Sequence, residues 1–149
     1  MKTLNKKFVG YELNHGTLRS EDLIIAFMEF LQNVKLECEI EKEVNEIQNE
    51  IDKLEYEDIG YGTNYKDQET ASYILNEDIW NLLNDIAPEF SYFSSSEGDG
   101  ASFGFWTNEE ALMDKVLERL EATVELSDDL EEVKSRMEEI MELMSDYDR

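Results

Sequence analysis

The amino-acid sequence predicts a single α+β domain that is predominantly helical, with four to five helices and a small antiparallel β-hairpin or sheet. Apolar residues recur at helical spacing along most of the chain, which is typical of amphipathic helices. One proline and seven glycines among 149 residues fit an ordered, mostly helical chain. A dense run of aromatic and small residues at positions 90–106 interrupts the helical pattern and predicts the hairpin.

The N-terminal elements are a predicted strand and a predicted helix. Val9, Tyr11 and Leu13 alternate along residues 7–13, which predicts a short strand. Ser20 is predicted to be the N-cap of the first helix, because its hydroxyl can accept a hydrogen bond from a free backbone amide. The apolar face of this helix is predicted to enter the core and consists of Leu23, Ile24, Phe27, Met28, Phe30, Leu31 and Val34.

The segment that follows is ambiguous at its start. Residues 34–40 alternate in polarity, so the pattern is compatible with a strand or with a helix. The chain has no glycine or proline between Gly16 and Gly60, which favours a second helix over about residues 36–57. Packing of this helix within its own domain is the preferred interpretation, and dimerisation is the alternative. Its heptad seam consists of Ile40, Val44, Ile47, Ile51 and Leu54.

A loop is predicted at residues 60–65, and a third helix after it. This helix starts near Gln68 and ends before Pro88, because the residue before a proline is disfavoured in helical geometry. Its buried stripe is predicted to consist of Ala71, Leu75, Ile79, Leu82, Leu83 and Ile86, with Ile74 and Trp80 beside it.

The predicted hairpin has two aromatic arms and a polar turn. Residues 96–100 supply the turn, where Gly98 and Gly100 permit positive φ. We expect the arms to hold the third and fourth helices against a small sheet that includes residues 7–13. Strand alternation predicts that Phe90 and Tyr92 share one face, as do Phe103 and Phe105. Phe93 and Trp106 are predicted to point to the other face.

Two acidic helices are predicted after the hairpin. Residues 1–149 are expected to form one domain, with residues 1–106 as its core and residues 107–149 as an acidic C-terminal helical extension. Thr107 and Glu110 have the spacing of a capping box, and a break in the heptad register predicts a bend near residues 123–127. The apolar stripes are predicted to be Met113, Val116, Leu117, Leu120 and Val124, followed by Leu130, Val133, Met137, Ile140 and Met144.

Charge is the strongest compositional feature. The chain has 37 acidic and 13 basic side chains, a formal net charge of −24. Such a surface disfavours direct nucleic-acid binding and binding to anionic membranes, because both need a basic face. The composition therefore predicts a basic protein partner, and the alternative is that acidity serves only solubility.

Targeting signals are not apparent. No apolar run approaches the ~20 residues that span a membrane, and the N-terminus lacks the apolar region of an export signal. The single cysteine, Cys38, has no second cysteine for an internal disulfide. These observations predict a cytoplasmic protein.

The sequence offers no recognisable set of catalytic residues. His15 is the only histidine, and Cys38 stands among Glu37, Glu39 and Glu41, whose negative charge disfavours a thiolate nucleophile. The glycine-rich turn lacks the lysine of a phosphate-binding loop and the spacing of a calcium-binding loop. We therefore expect no enzymatic activity, no cofactor and no metal site.

Two segments resemble blocks of a family of small uncharacterised phage and prophage proteins. HGTLRSEDLIIAF, residues 15–27, is similar to an HGTLR-x-EDLI-x-AF pattern. Residues 85–106 are similar to a second block, in which alanine-proline and an aromatic pair precede GDG-x-x-FGFW. The serine run at 94–96 departs from a glycine-alanine-histidine sequence of that family, so a histidine-dependent role is lost here. The resemblance implies a phage or mobile-element origin and implies no reaction.

These features together favour an interaction protein over an enzyme. The leading hypothesis is an inhibitor of a host nucleic-acid-binding defence complex, such as a CRISPR effector or a restriction enzyme, whose basic groove is filled by carboxylates in place of phosphates. The alternative is a phage accessory or scaffold protein that forms a homodimer through its apolar seams. The predicted partner-binding residues are Asp128, Asp129, Glu131, Glu132, Glu138, Glu139 and Glu142 on the later helices, and Glu97 and Asp99 at the hairpin tip.

Overall fold

The computed structural model describes residues 3–58, 60, 62–125 and 130–147. Over these residues the chain forms five helices and five strands, which confirms an α+β fold with small antiparallel sheets. None of the described helices is long and apolar enough to cross a lipid bilayer. The helices are α1 (Ser20–Asn33), α2 (Cys38–Asp52), α3 (the successive segments Gln68–Tyr73, Ile74–Ile79 and Trp80–Ile86), α4 (Glu109–Glu125) and α5 (Leu130–Asp146), and a 3₁₀ turn, Lys6–Phe8, precedes them.

The strands form two sheets, one more than the sequence predicts. They are β1 (Glu12–Asn14), β2 (Tyr56–Asp58), β3 (Thr63–Tyr65), β4 (Ser91–Ser96) and β5 (Asp99–Thr107). β5 is the central strand of a three-stranded antiparallel sheet with the order β1-β5-β4, while β2 and β3 form a separate hairpin.

The core lies where α1 and α3 pack against one face of the three-stranded sheet. The ring of Phe27 in α1 contacts Phe93 in β4 edge to face, with ring centroids 5.1 Å apart, and Phe103 in β5 at 5.7 Å. Trp80 in α3 contacts Phe93 from the other side at 4.9 Å. Each edge-to-face pair adds about 1 kcal/mol beyond the burial of apolar area, so this cluster fixes the sheet against both helices.

The N-terminal strand is shorter than predicted and begins later. Residues 6–8 form the 3₁₀ turn, because the Asn5 side chain caps it by accepting a hydrogen bond from the Lys7 amide at 2.9 Å. The predicted pairing with the aromatic hairpin is confirmed. β1 pairs with β5, and the Gly10 amide donates to the Phe105 carbonyl at 2.7 Å.

The second helix is also shorter than predicted, because extended segments bound it on both sides. Val34 and Glu37 have extended backbone geometry, so residues 34–37 are neither strand nor helix and α2 begins at Cys38. At its other end, β2 pairs with β3 in place of the predicted helix end and loop. The seam is confirmed as core, since Ile40, Val44, Ile47 and Ile51 are buried in the cluster with α1 and α3.

The third helix is confirmed from Gln68 to its end before Pro88, and its predicted stripe is buried. Asp67 caps it, with Oδ1 accepting a hydrogen bond from the Thr70 amide at 3.0 Å. The sequence pattern did not predict the π-helical segment Ile74–Ile79 in its middle. The wider turn keeps three apolar residues in the core, namely Ile74, Leu75 and Ile79.

The aromatic hairpin is confirmed, and so is the shared face of Phe103 and Phe105, but the predicted placement of Phe93 and Trp106 on one face is wrong. Phe93 lies opposite Phe105, and Tyr92 lies opposite Trp106. Directly opposed residues of an antiparallel pair share a face, so Phe93 and Phe105 enter the core together while Tyr92 and Trp106 share the outer face. The predicted use of glycine in the turn is wrong as well, because positive φ occurs at Phe90 (59°) and at neither turn glycine.

Two predicted helix caps are displaced by one residue each. Arg19 occupies the N-cap of α1 in place of Ser20, and the Thr17 hydroxyl accepts a hydrogen bond from the Arg19 amide at 3.2 Å. In α4 the cap is Asn108, whose Oδ1 accepts from the Ala111 amide at 3.1 Å. The predicted capping box is wrong because the Thr107 hydroxyl binds elsewhere, on the carbonyl of Tyr147.

Candidate interaction surface

The two acidic helices form an antiparallel helical hairpin, defined here as α4 and α5. The end of α5 returns to the start of α4, where the Thr107 hydroxyl donates to the Tyr147 carbonyl at 3.2 Å. The Tyr147 ring packs edge to face on Phe90 with centroids 5.6 Å apart. Lys6 and Asp146 form an ion pair that joins the end of α5 to the N-terminal segment. These contacts hold the hairpin base against the sheet.

The surroundings at this base shift the pKa values of Lys6 and Tyr147. The hydrogen bond to Asp146 raises the pKa of Lys6 above its ordinary value, and burial opposes this effect. Burial raises the pKa of the Tyr147 hydroxyl, and the negative charges of Glu89 and Asp146 raise it further. Lys6 is therefore charged and Tyr147 neutral at pH 7.

The helical hairpin has a small interior of its own. The core cluster draws its buried residues from the chain between Leu4 and Phe105, whereas Val116, Ile140 and Tyr147 are buried outside that cluster. The predicted stripes contribute less than expected, because only Val116 and Ile140 are buried among the eight members whose burial the structure describes. The exposed apolar side chains of the hairpin are Met113, Leu117, Met137, Met141 and Met144, called the methionine face below.

A groove of about 760 Å³ lies where the helical hairpin meets the outer face of the three-stranded sheet. Met113 of α4 and Met144 of α5 line the same groove, so the exposed apolar sides of both helices face it. Residues three or four apart lie on one side of a helix, so Leu117 continues this side along α4 and Met141 and Met137 continue it along α5. The groove is lined by Tyr92, Trp106, Leu112, Met113, Val116, Met144 and Tyr147, and by the polar residues Ser96, Glu97, Thr107, Asn108, Glu109 and Ser145.

The two predicted residues at the tip of the β4–β5 hairpin, Glu97 and Asp99, lie in different surroundings. Glu97 is exposed and lines the groove. Asp99 points to the other side, where its Oδ2 lies 3.3 Å from Nε2 of His15. Nδ1 of His15 lies 3.3 Å from a carboxylate oxygen of Glu12, and the other oxygen of Glu12 accepts a 2.6 Å hydrogen bond from Ser102. The histidine therefore ties the hairpin tip to the end of β1.

The same contact brings together the two segments that carry the family resemblance. His15 belongs to the first block and Asp99 to the second, and the Gly16 amide donates to the Ala101 carbonyl at 3.1 Å. Among the described residues, no group of three or more histidine, cysteine or carboxylate side chains is arranged to hold a metal ion.

The predicted residues of α5 lie on two different stripes. Glu131, Glu138 and Glu142 are separated by seven and four residues, which places them on one side of the helix, whereas Glu132 and Glu139 lie on another. All five are exposed. Glu132 lies 3.5 Å from Arg136, so it is already paired within the helix. Asp128 and Asp129 lie outside the described residues.

The helical hairpin is strongly acidic as a unit. Its two helices carry twelve carboxylates and four basic side chains. Glu138 and Glu139 are exposed and form no ion pair with any residue that the structure describes. A basic partner can therefore bind these two carboxylates without first breaking an ion pair to another described residue of the protein.

Sequence reasoning missed the methionine face. The spacing that predicts a buried seam is the same whether or not another surface covers it, so periodicity alone gives no warning of exposure. The usable signal was composition, because four of the six methionines of the chain fall within two short helices rich in carboxylates. Flexible methionine side chains are favoured at adaptable binding surfaces.

Comparison with models of protein families, with curated proteins and with solved structures finds no match for this chain.

Proposed function

We propose that this chain is a phage-encoded interaction protein that inhibits a host nucleic-acid-binding defence complex, with the acidic helical hairpin occupying the basic groove of its target. The observation that carries the proposal is the density of exposed carboxylates on a hairpin that projects from the folded core. A basic groove built for phosphates attracts such a surface at long range and holds it at contact.

The dimensions of the hairpin fit this role. A helix of 17 residues such as α5 is about 25 Å long. A duplex of that length carries about 15 phosphate charges, at one per ~1.7 Å of axis. The two helices carry twelve carboxylates and four basic side chains, a net charge of −8, which is about half the charge of this duplex segment of roughly three-quarters of a turn.

A capture experiment with matched charge variants tests the proposal. The wild-type protein is used as bait in a bacterial lysate at low salt, beside the variant Glu138→Gln/Glu139→Gln/Glu142→Gln. The control, Glu41→Gln/Glu43→Gln/Glu46→Gln, removes the same charge from the exposed side of α2. We expect mass spectrometry to find a nucleic-acid-binding protein with the wild type and with the control but not with the hairpin variant.

Two outcomes would contradict the proposal. Recovery of no nucleic-acid-binding protein at low salt removes the inhibitor function. Equal loss of the partner in both variants shows that overall acidity, and not the helical hairpin, is responsible for binding.

The second candidate function is a scaffold protein that forms a homodimer. The exposure of Met137 (42%) and Met141 (67%) favours it, because uncovered apolar side chains of this size promote association. The seam of α2 is not available for this purpose, since Ile47 is buried in the protein's own core. Light scattering decides between the candidates: a dimer that Met137→Lys converts to a monomer supports the scaffold.

A further inference from the structure

We infer that the methionine face and its groove bind a cationic amphipathic helix of the protein partner. This inference rests on the proposed function and names the structural element that the acidic helical hairpin recognises. Two observations point to such an occupant: a continuous apolar strip of flexible side chains, and a carboxylate rim along both of its long edges.

The apolar strip has the shape that a helix requires. Trp106, Met113 and Met144 line the groove, and the exposed side chains of Leu117 and Met141 extend the strip along the two helices. Helical spacing places these side chains on successive turns, so the strip runs along the hairpin axis. An amphipathic helix docks into a groove of this kind with apolar anchors three, four and seven residues apart. Unbranched methionines adjust to such anchors without a fixed complementary shape.

The rim specifies the charge of the occupant. On α4, Glu110 lies about 60° and Glu121 about 80° around the helix from Met113, on the side away from the buried Val116, so both flank the strip. On α5, Glu138 lies three residues before Met141, and Glu142 follows it. These carboxylates are exposed. The same rim includes one cation, Lys134, which leaves the strip enclosed by net negative charge.

This charge pattern selects against the other occupants of an exposed apolar face. A second copy of the chain would bring its own carboxylate rims against these and be repelled. An anionic lipid surface is disfavoured for the same reason. A helix with an apolar stripe flanked by lysine or arginine satisfies the strip and the rim together.

The test is a titration of the full chain, labelled with ¹³C at the methionine methyl groups, with a synthetic helical peptide of about 18 leucine and lysine residues, long enough to span about 27 Å. We expect the methyl signals of Met113, Met137, Met141 and Met144 to shift. The signal of Met28, which is 3% exposed in the core, serves as the internal reference and is expected to stay in place.

Two comparison peptides and two variants sharpen this test. A peptide of the same composition without the apolar stripe is expected to shift the four signals much less, and a leucine–glutamate peptide is expected not to bind. Met137→Gln/Met141→Gln is expected to weaken binding of the leucine–lysine peptide by about tenfold or more. The control Leu18→Gln/Ile25→Gln removes two exposed apolar side chains elsewhere and is expected to bind as the wild type does.

Four results overturn the inference: unmoved methionine signals, equal binding of the stripe-free peptide, binding of the acidic peptide, or methionine shifts that follow protein concentration without any peptide. The last result identifies a second copy as the occupant. Capture of a nucleic-acid-binding partner that needs the hairpin carboxylates but not Met137 and Met141 leaves the proposed function in place and removes only this inference. Binding of the leucine–lysine peptide without capture of any nucleic-acid-binding partner leaves the helix-binding surface in place and removes the proposed function.

Discussion

The hydroxyl of Thr107 donates a hydrogen bond to the carbonyl oxygen of Tyr147, with the two atoms 3.2 Å apart, and so joins the end of β5 to the end of α5. These residues are forty positions apart in sequence, with Thr107 just before α4 and Tyr147 just after α5. Both residues line the groove, and the contact holds the end of α5 beside the end of β5 there.

Replacement of Tyr147 is expected to release the base of the helical hairpin. Tyr147 is 6% exposed and packs on Phe90, so Tyr147→Ala should lower the local free energy of unfolding of the hairpin by about 3 kcal/mol. Hydrogen exchange measures this effect as faster exchange of amides in the last turns of α5. The control Tyr73→Ala, at a side chain that is 62% exposed, should leave α5 unchanged. Equal protection of the α5 amides in both variants would contradict the role of Tyr147 in holding the end of α5.

Phe90 is expected to tolerate glycine better than alanine. Its φ of 59° lies in the left-handed region, which a residue with a Cβ occupies at a cost of about 1–2 kcal/mol. Both substitutions remove the ring contact with Tyr147, but only glycine relieves the backbone, and its greater freedom in the unfolded chain offsets part of the gain. In urea unfolding, Phe90→Gly should therefore have a free energy of unfolding about 1 kcal/mol higher than that of Phe90→Ala. An alanine variant that is the more stable of the two shows that the backbone strain is absent.

Gly104 is expected to reject any side chain. A Cβ at this position would lie 2.3 Å from the carbonyl oxygen of Tyr11 in the neighbouring chain segment, and backbone atoms cannot move aside cheaply. Gly104→Ala should therefore destabilise the protein by at least about 2 kcal/mol in urea unfolding. The matched control is Gly98→Ala at the hairpin tip, where nothing lies within 4 Å of the added carbon. Gly98→Ala should be close to neutral, and a neutral Gly104→Ala would contradict the pairing of β1 with β5.

Glu21 is expected to make stability depend on pH. Burial raises the pKa of its carboxyl, but hydrogen bonds from Gln68 and the Tyr65 amide, with the charge of Arg19, outweigh burial and lower it. A lowered folded-state pKa stabilises the fold above the unfolded value of about 4.3, and this contribution disappears as the pH falls through the folded-state value.

The variant Glu21→Gln isolates this contribution from the many other carboxylates. At pH 7 it should be less stable than the wild type by about 1 kcal/mol or more, because a buried charge-assisted hydrogen-bond network is lost. The difference between the two proteins should shrink in urea unfolding as the pH falls below about 4.3. Glu29→Gln, at an exposed position of the same helix, controls for the change in net charge. A difference that is constant with pH contradicts the buried network.

The sequence predicted those parts of the fold whose periodicity is long and unbroken. The stripe of α3 and the seam of α2 were recognised because apolar side chains recur over several turns with one possible inner side. The aromatic hairpin was recognised from its turn and its paired aromatic arms. Its faces were not, because strand register decides which side each residue takes, and a shift of one residue reverses every side chain.

The remaining features depend on contacts between distant segments. Residues 34–37 are extended because the chain must pass from α1 to α2, and the pairing of Tyr56 with Tyr65 ends the helical region early. For the candidate site, the sequence supplied the acidic residues but not their division between stripes. The methionine face follows from the antiparallel placement of α4 and α5, which the contacts of Tyr147 with Thr107 and Phe90 help to hold.

Competition with nucleic acid tests the central claim most directly. The captured partner is loaded with labelled nucleic acid, and the chain is added at increasing concentration and at several salt concentrations. We expect displacement of the nucleic acid by the wild type, weaker displacement at high salt, and little displacement by Glu138→Gln/Glu139→Gln/Glu142→Gln. A stable complex in which the partner holds the chain and its nucleic acid together would contradict the claim that the acidic helical hairpin occupies the nucleic-acid groove.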